Sequence, residues 1–174
     1  MSKSDTGRRV LGIDPGPTKC GIVLYQDGKV ALSDNADVET VLQTLRDLGS
    51  MAALEHGQEA VHVAVERCSS YAGGSLPALQ HLLPTAEVYG EIRRRALDSG
   101  LTFSGHRRRD VLTHLRIAGR AKDSQVRAVL AELHGCDTLQ QAKGTKAAPG
   151  PLYGVAGHAW QALAVALTAL AVLS

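Results

Sequence analysis

The sequence predicts an α/β fold, in which short buried strands alternate with amphipathic helices. Apolar, β-prone runs at residues 10–13 and 21–25 are separated by a turn signal, and a β-branched run, V-H-V-A-V-E, occupies residues 61–66. Apolar residues also recur at helical spacing, first between residues 37 and 53. Strands and helices of this kind, mixed along one chain, are typical of a sheet covered by helices.

The first predicted strand ends in a carboxylate, Asp14, which Pro15 and Gly16 follow as a turn signal. Asp27-Gly28 then marks a hairpin turn after the second strand. A charge at the end of a buried strand is unfavourable unless it binds something, and a metal cation is a suitable partner. Asp14 could instead only cap the turn. The same strand and hairpin pattern opens the sugar-kinase and actin type of ATPase, so it narrows the fold more than the chemistry.

A second carboxylate, Glu66, ends the strand at residues 61–66. It could hold a ligand, or it could be an exposed residue at the sheet edge. The loop that follows, residues 67–76, is rich in Ser and Gly, and we expect it at the surface, where it can contact a ligand.

The other elements are predicted from apolar spacing and from residues that begin or end helices. Asp37 caps the first helix, Pro84 interrupts the second, Ser99-Gly100 ends it, and Asp123 or Ser124 caps the fourth. The predicted helices cover residues 37–53, 76–97 with the interruption, 107–117, 123–134 and 155–173, with a short strand at 101–103 and a loop at 140–154.

Length and composition indicate one domain, residues 1–174, in which residues 1–8 form a flexible polar tail. The three cysteines are odd in number and lack CxxC spacing, which argues against disulfides or a zinc knuckle and suits the reducing cytoplasm. The apolar segment 159–173 falls short of the ~20 residues that span a membrane, so we expect a buried helix.

Basic residues concentrate in the second half of the chain. Residues 91–127 hold ten Lys or Arg and four acids, a local charge of +6 within a total of +2. Such a patch suggests a polyanionic partner, although a solvated helix face would have the same composition. In the last helix, His158 and Gln161 are three residues apart and are expected to share a face. A lone His on an apolar helix is more often a core residue than a ligand.

Together these stretches resemble the RuvC-type Holliday junction resolvases of the ribonuclease H-like nuclease superfamily. The likeness rests on V-L-G-I-D-P-G at residues 10–16, on V-A-V-E at 63–66, on the basic stretch 109–126, and on H-A-W-Q-A-L-A-V-A-L-T from 158. It runs from residue 10 to about residue 170, with a small insertion between Glu66 and Gly90.

The resemblance implies a five-stranded mixed sheet flanked by helices, with three strands in an antiparallel meander and two more parallel to the first. It also implies a homodimer that cleaves four-way DNA junctions with two Mg²⁺ or Mn²⁺ ions per site. The apolar stripe of Val88, Tyr89 and Ile92 is the expected dimer contributor, although it could equally pack on the sheet.

The family's four metal-binding positions fall on Asp14, Glu66, His158 and Gln161, with Lys122, and with it Arg109, near the scissile phosphate. The family has Asp at the fourth position, where this chain has Gln. An amide offers an oxygen ligand but no charge, so we expect junction binding with weak cleavage or none. Alternatively, Gln161 points into the core or another carboxylate replaces it. The residues expected to contact DNA are Arg67, Tyr71, Gly73, Gly74, Arg107, Arg108, Arg109, Arg120 and Lys122.

Three other functions remain open at this point. The chain could bind junctions without cutting them, because of Gln161, or it could be a related ribonuclease H-like nuclease acting on RNA or flaps. An actin-like ATPase is disfavoured, because 174 residues is too short for two such domains and the sequence contains no second phosphate loop.

Overall fold

The computed structural model describes residues 7–54, 61–68, 76–119 and 121–173. Its strands are β1 (Arg9–Asp14), β2 (Lys19–Gln26), β3 (Lys29–Asp37), β4 (His62–Arg67) and β5 (Thr102–Arg107). They form one sheet in the order β3-β2-β1-β4-β5. β1 pairs antiparallel with β2, and β2 with β3, whereas β1 pairs parallel with β4, and β4 with β5. The predicted five-stranded mixed sheet with an antiparallel meander is therefore confirmed.

Helices cover both faces of this sheet. They are α1 (Val38–Leu54), α2 (Leu76–Asp98), α3 (Arg108–His114), α4 (Asp123–Leu133), α5 (Leu139–Lys143) and α6 (Ala159–Leu173). On one face, α6 lies over β1, β2 and β4 and brings Trp160 and Leu163 into a core shared with α3 and α4. On the other face, α1 and α2 pack against Leu11, Ile13 and Val63. Successive residues of β1 thus enter opposite cores, as the two-residue period of a strand requires.

Two local signals of the sequence act as predicted. Asp27 and Gly28 both have positive φ, 51° and 76°, which is the geometry of a two-residue hairpin turn between β2 and β3. Asp37 caps α1, since its Oδ1 accepts a hydrogen bond of 2.8 Å from the backbone N–H of Thr40. The apolar C-terminal segment forms the buried helix α6, as expected. Within the described ranges, no helix is both long enough and apolar enough to cross a membrane.

Helix boundaries in the second half differ from the prediction. Pro84 does not interrupt α2, because the turns around it are exposed and the later turns, through Ile92 and Ala96, are anchored in the core. Strand β5 extends to Arg107, so α3 begins at Arg108. Lys122, rather than Asp123 or Ser124, is the N-cap residue of α4.

Two further differences concern the C-terminal part. The predicted loop at 140–154 contains the short helix α5, which Thr138 caps by accepting a hydrogen bond from the backbone N–H of Gln141. Helix α6 begins at Ala159 and not at residue 155. The prediction placed the start too early because the apolar sequence carries no visible start signal. His158 therefore precedes the helix. The predicted tail, residues 1–8, lies outside the described residues except for Gly7 and Arg8.

The predicted apolar stripe of α2 faces its own sheet. Val88 and Ile92 are buried, and Tyr89 packs edge-on against Phe103 of β5. These three side chains belong to the core between α1, α2 and the sheet. The expectation that they contribute to a dimer interface is therefore wrong, and the alternative of packing on the sheet is confirmed.

Two glycines let α6 lie directly on the sheet. A Cβ on Gly12 of β1 would lie 2.1 Å from the carbonyl oxygen of Ala162, and a Cβ on Gly21 of β2 would lie 2.2 Å from the carbonyl carbon of His158. Both distances are far below van der Waals contact. Gly21 pairs with Asp14 across the two strands. The close approach at Gly21 therefore also brings His158 next to Asp14.

We expect Gly21→Ala to push the start of α6 off the sheet and to lower the free energy of unfolding by about 1–3 kcal/mol, as overpacking does. Urea denaturation measures this change. Gly90→Ala is the matched control, because Gly90 is exposed in α2 and its added Cβ would meet nothing within 4 Å. The control should be neutral or stabilising by up to ~1 kcal/mol. Equal stability of Gly21→Ala and the parent would contradict the close packing of α6.

Candidate functional site

Two carboxylates end neighbouring strands at the same edge of the sheet. Ile13 of β1 pairs with Val65 of β4 in parallel register, so Asp14 and Glu66, which follow them, emerge side by side. Both side chains are mostly buried, 16% and 17% exposed. They line one open cleft together with Arg67, Cys68, Thr85 and Arg108, among others. The structure therefore brings together the two carboxylates that the sequence placed at strand ends.

Burial and like charge make this pair difficult to ionise. Burial raises the pKa of the Glu66 carboxyl to about 7, the charges of Asp14 and Asp123 add to the rise, and Arg108 opposes it. The pKa of Asp14 is also raised, chiefly by burial, against the opposing effects of His158 and Arg108. The Oε2 atom of Glu66 is buried and accepts no hydrogen bond within the described part of the chain.

His158 reaches Asp14 from the turn that precedes α6. Its Nδ1 is 3.0 Å from Oδ2 of Asp14. Asn35 of β3 holds this turn, because its Oδ1 accepts from the His158 backbone N–H at 2.8 Å and its Nδ2 donates to the Ala156 carbonyl at 2.9 Å. The expectation that His158 lies on a helix face is wrong, but its expected closeness to Asp14 is confirmed. Sequence reasoning missed Asn35, which carried no signal of its own.

Gln161 lies one turn into α6 and is buried at 9% exposure. Its Nε2 donates to Oδ1 of Asp123 at 2.9 Å, and its Oε1 accepts a hydrogen bond from Nη1 of Arg108. Both ends of the amide are thus engaged, and the hydrogen bonds assigned to it run to Arg108 and Asp123. Gln161 is accordingly a bridge between two charged side chains, whereas His158 lies in the turn before the helix and contacts Asp14.

The guanidinium of Arg108 stands at the centre of this network. It is 3.7 Å from Oε2 of Glu66 and 3.3 Å from Oδ1 of Asp123, in addition to its contact with Gln161. Only 19% of the Arg108 side chain is exposed. The residue was expected to contact DNA, but the structure places its charge among the carboxylates of the cleft.

The residues at this edge fit a divalent cation in their chemistry. Carboxylate oxygens are the preferred ligands of hard cations, and the buried Oε2 of Glu66 is a donor atom without a hydrogen bond. In the described ranges, however, no group of three His, Cys, Asp or Glu side chains is already arranged around a common metal position. Arg108 supplies positive charge there instead.

The remaining predicted residues are less closely tied to the cleft. Arg107, Arg109 and Lys122 are exposed around α3 and at the start of α4, and Arg67 lines the cleft. Tyr71, Gly73, Gly74 and Arg120 lie outside the described residues. Asp123 is the functional candidate that sequence reasoning treated only as a helix cap. The missing charge at residue 161 was the one signal in the sequence that another carboxylate could take its place.

The buried pair predicts a pH dependence of stability in the absence of metal. Folding raises the pKa of Glu66 from 4.5 to about 7, so ionisation favours the unfolded chain. The contribution of Glu66 to the free energy of unfolding should therefore fall as the pH rises from about 4.5 to about 7, by an amount on the order of a few kcal/mol. Glu66→Gln should remove this fall, and urea denaturation in EDTA at several pH values measures it.

The control for this pH series is Glu132→Gln, on the exposed face of α4. It should show the same pH slope as the parent protein. If Glu66→Gln also kept that slope, the buried carboxylate would not be the source of the pH dependence.

Comparisons with known proteins find relatives that cover nearly the whole chain. The RuvC crossover junction endodeoxyribonuclease of Mycobacterium tuberculosis is 29% identical over 169 residues, covering 91% of this chain and 85% of that protein. The RuvC of Mycobacterium ulcerans is 28% identical over 173 residues, covering 94% and 89%. No family model matches the chain.

Solved structures show the same fold. A RuvC structure from Thermus thermophilus superimposes with a TM-score of 0.61 at 21% identity over 95% of each chain. A structure of T. thermophilus RuvC in complex with a Holliday junction substrate gives a TM-score of 0.59 at 20% identity over 92% of each chain. The chain is thus similar to RuvC endodeoxyribonucleases over nearly its whole length and has the fold of the T. thermophilus RuvC structures, as the resemblance of its motifs implied.

Proposed function

We propose that this chain is a structure-specific endodeoxyribonuclease that resolves four-way (Holliday) DNA junctions in recombination and repair by divalent-metal-dependent hydrolysis. The observation that carries the proposal is the buried pair of Asp14 and Glu66 at one sheet edge, with an oxygen of Glu66 that accepts no hydrogen bond within the described residues. The pair lies in a chain related over nearly its whole length to crossover junction endodeoxyribonucleases.

In this proposal each site holds two Mg²⁺ or Mn²⁺ ions, and Asp14 and Glu66 would be their carboxylate ligands. His158, beside Asp14, would be a nitrogen ligand or a base. A bound divalent ion activates water and stabilises the leaving oxygen of a phosphodiester. His158 must be neutral for either role, so acid should suppress the reaction. The hydrogen bond of Asn35 to the His158 backbone keeps the imidazole near Asp14.

Branched DNA is the proposed partner, and the basic stretch would contact its phosphates. Arg107, Arg109 and Lys122 are exposed, whereas Arg108 is held in the cleft. Lys122 adjoins Asp123 at the start of α4, and in this proposal its ammonium contacts the DNA backbone near the scissile phosphate. Phosphate contacts of this kind give affinity without sequence preference.

A junction-binding protein without cleavage is the second candidate function. Two observations favour it: residue 161 is uncharged, and the Arg108 guanidinium stands between Glu66 and Asp123. The singly charged guanidinium of Arg108 offsets part of the negative charge of the carboxylates, but it cannot activate water as a divalent ion does. A nuclease acting on RNA or flaps is separated from both by the choice of substrate.

Incubation with a labelled four-way junction, a duplex and an RNA–DNA hybrid, under Mg²⁺ and under Mn²⁺, tests the function. The proposal predicts symmetric cleavage of the junction alone, whereas the uncharged residue 161 by itself predicts weak cleavage or none. Asp14→Asn should abolish cleavage and leave junction binding within about twofold, because the phosphate contacts lie elsewhere. Cleavage by Asp14→Asn at the parent rate would refute the metal-site assignment.

The matched control for the Asp14→Asn assay is the double variant Arg109→Gln and Lys122→Gln. It should weaken junction binding and lower the slope of log affinity against log salt by about one unit for each phosphate that is no longer neutralised. Binding without cleavage by the parent protein itself, under both metals, would favour the second candidate function.

We also infer that the protein acts as a homodimer, since two sites related by a two-fold axis suit a substrate that is cut in two strands. The buried stripe of α2 cannot form the contact, but Leu83 and Leu97 of the same helix are 63% and 50% exposed. Sedimentation equilibrium at micromolar concentration should give twice the chain mass of 18.4 kDa. A single 18.4 kDa species would exclude the dimer.

A further inference from the structure

We propose that Asp123 brings to the metal site the carboxylate that residue 161 lacks, and that Gln161 positions it there. This inference rests on the proposed function, because it assigns one more ligand to the same site. It replaces the expectation that the amide of Gln161 is itself a weak ligand.

The contacts of Asp123 point it toward the other carboxylates. Its Oδ1 accepts from Gln161 Nε2 at 2.9 Å and lies 3.3 Å from Nη2 of Arg108. The other terminal nitrogen of the same guanidinium lies 3.7 Å from Oε2 of Glu66. One guanidinium therefore contacts both Glu66 and Asp123, so the two carboxylates lie around the same cation.

Asp123 and Glu66 bring two negative charges to one guanidinium, since both side chains contact Arg108. Carboxylates gathered around one cation repel one another unless more positive charge joins them. Arg108 provides a single positive charge, which is less than the three carboxylates carry together.

The amide at residue 161 is suited to hold Asp123 rather than to bind a cation. Its oxygen accepts from Arg108 and its nitrogen donates to Asp123, a combination that an amide offers and a carboxylate does not. An aspartate at 161 would face Asp123 across a like-charge contact. The neutral residue in α6 and the acidic residue at the start of α4 are therefore a matched pair.

A role of Asp123 restricted to the start of α4 explains less. Lys122 is the N-cap residue, and the side-chain hydrogen bonds assigned to Asp123 are those from Gln161 and Arg108. An acid in the first turn does stabilise a helix. That effect, however, requires neither the buried amide of Gln161 nor the guanidinium of Arg108. With 64% of its side chain exposed, Asp123 also remains accessible to a ligand.

Mn²⁺ affinity of the intact protein, measured by titration calorimetry without DNA, tests the assignment. The variants are Asp123→Asn, Gln161→Asp, the double variant with both changes, Glu66→Gln, and Glu132→Gln as an exposed control on α4. Asp123→Asn should weaken Mn²⁺ binding at least about tenfold, since even residues that only support a metal ligand have effects of that size.

The other variants separate the possibilities. Gln161→Asp alone should not tighten Mn²⁺ binding, because it adds a charge against Asp123. The double variant moves the carboxylate from α4 to α6 and should recover the parent affinity within about threefold. The control Glu132→Gln should leave the affinity unchanged.

The assignment is overturned if Asp123→Asn binds Mn²⁺ like the parent while Glu66→Gln does not, or if Gln161→Asp alone tightens binding. Loss of affinity in Asp123→Asn without recovery in the double variant also overturns the positioning role of Gln161. If Glu66→Gln leaves the affinity unchanged, the metal site itself is absent, and the proposed function fails with it.

Discussion

The buried pair of Asp14 and Glu66 imposes the constraint on which the rest of the site depends. Parallel pairing of β1 with β4 fixes the two carboxylates next to each other, and the surrounding core removes most of their water. In that setting burial raises the pKa of both carboxyls and the charge of Asp14 raises that of Glu66 further, so a positive partner is required for both to ionise. Arg108 meets part of this requirement, and a divalent ion would meet it more fully.

The packing of α6 on the sheet fixes the position of His158 relative to the two carboxylates. Gly12 and Gly21 allow the helix backbone to touch β1 and β2, and this contact sets where His158 stands. The helix is almost wholly apolar, so its position is determined by burial, while the polar groups at its start are carried along with it. Core stability and site geometry therefore depend on the same few contacts.

Local patterns were enough to predict the strands, the hairpin turn and the two strand-end carboxylates, because each depends on neighbouring residues. The start of α6 was missed by four residues, since an apolar run contains no cap, and His158 therefore lies in a turn and not on the helix. Pro84 was interpreted as a break because the sequence cannot show that the later turns of α2 are anchored in the core. Tertiary packing decided both cases.

The network of Arg108, Asp123 and Gln161 was beyond local patterns for a different reason. Its members come from three helices, and each residue alone has an ordinary interpretation: a basic surface residue, a helix cap and a misplaced amide. Only their contacts show that the absence of charge at 161 and its presence at 123 belong together. A position that departs from its family's pattern is therefore best interpreted with the residues it touches. Here a neutral side chain in α6 is compatible with a three-carboxylate site, provided that α4 supplies the third.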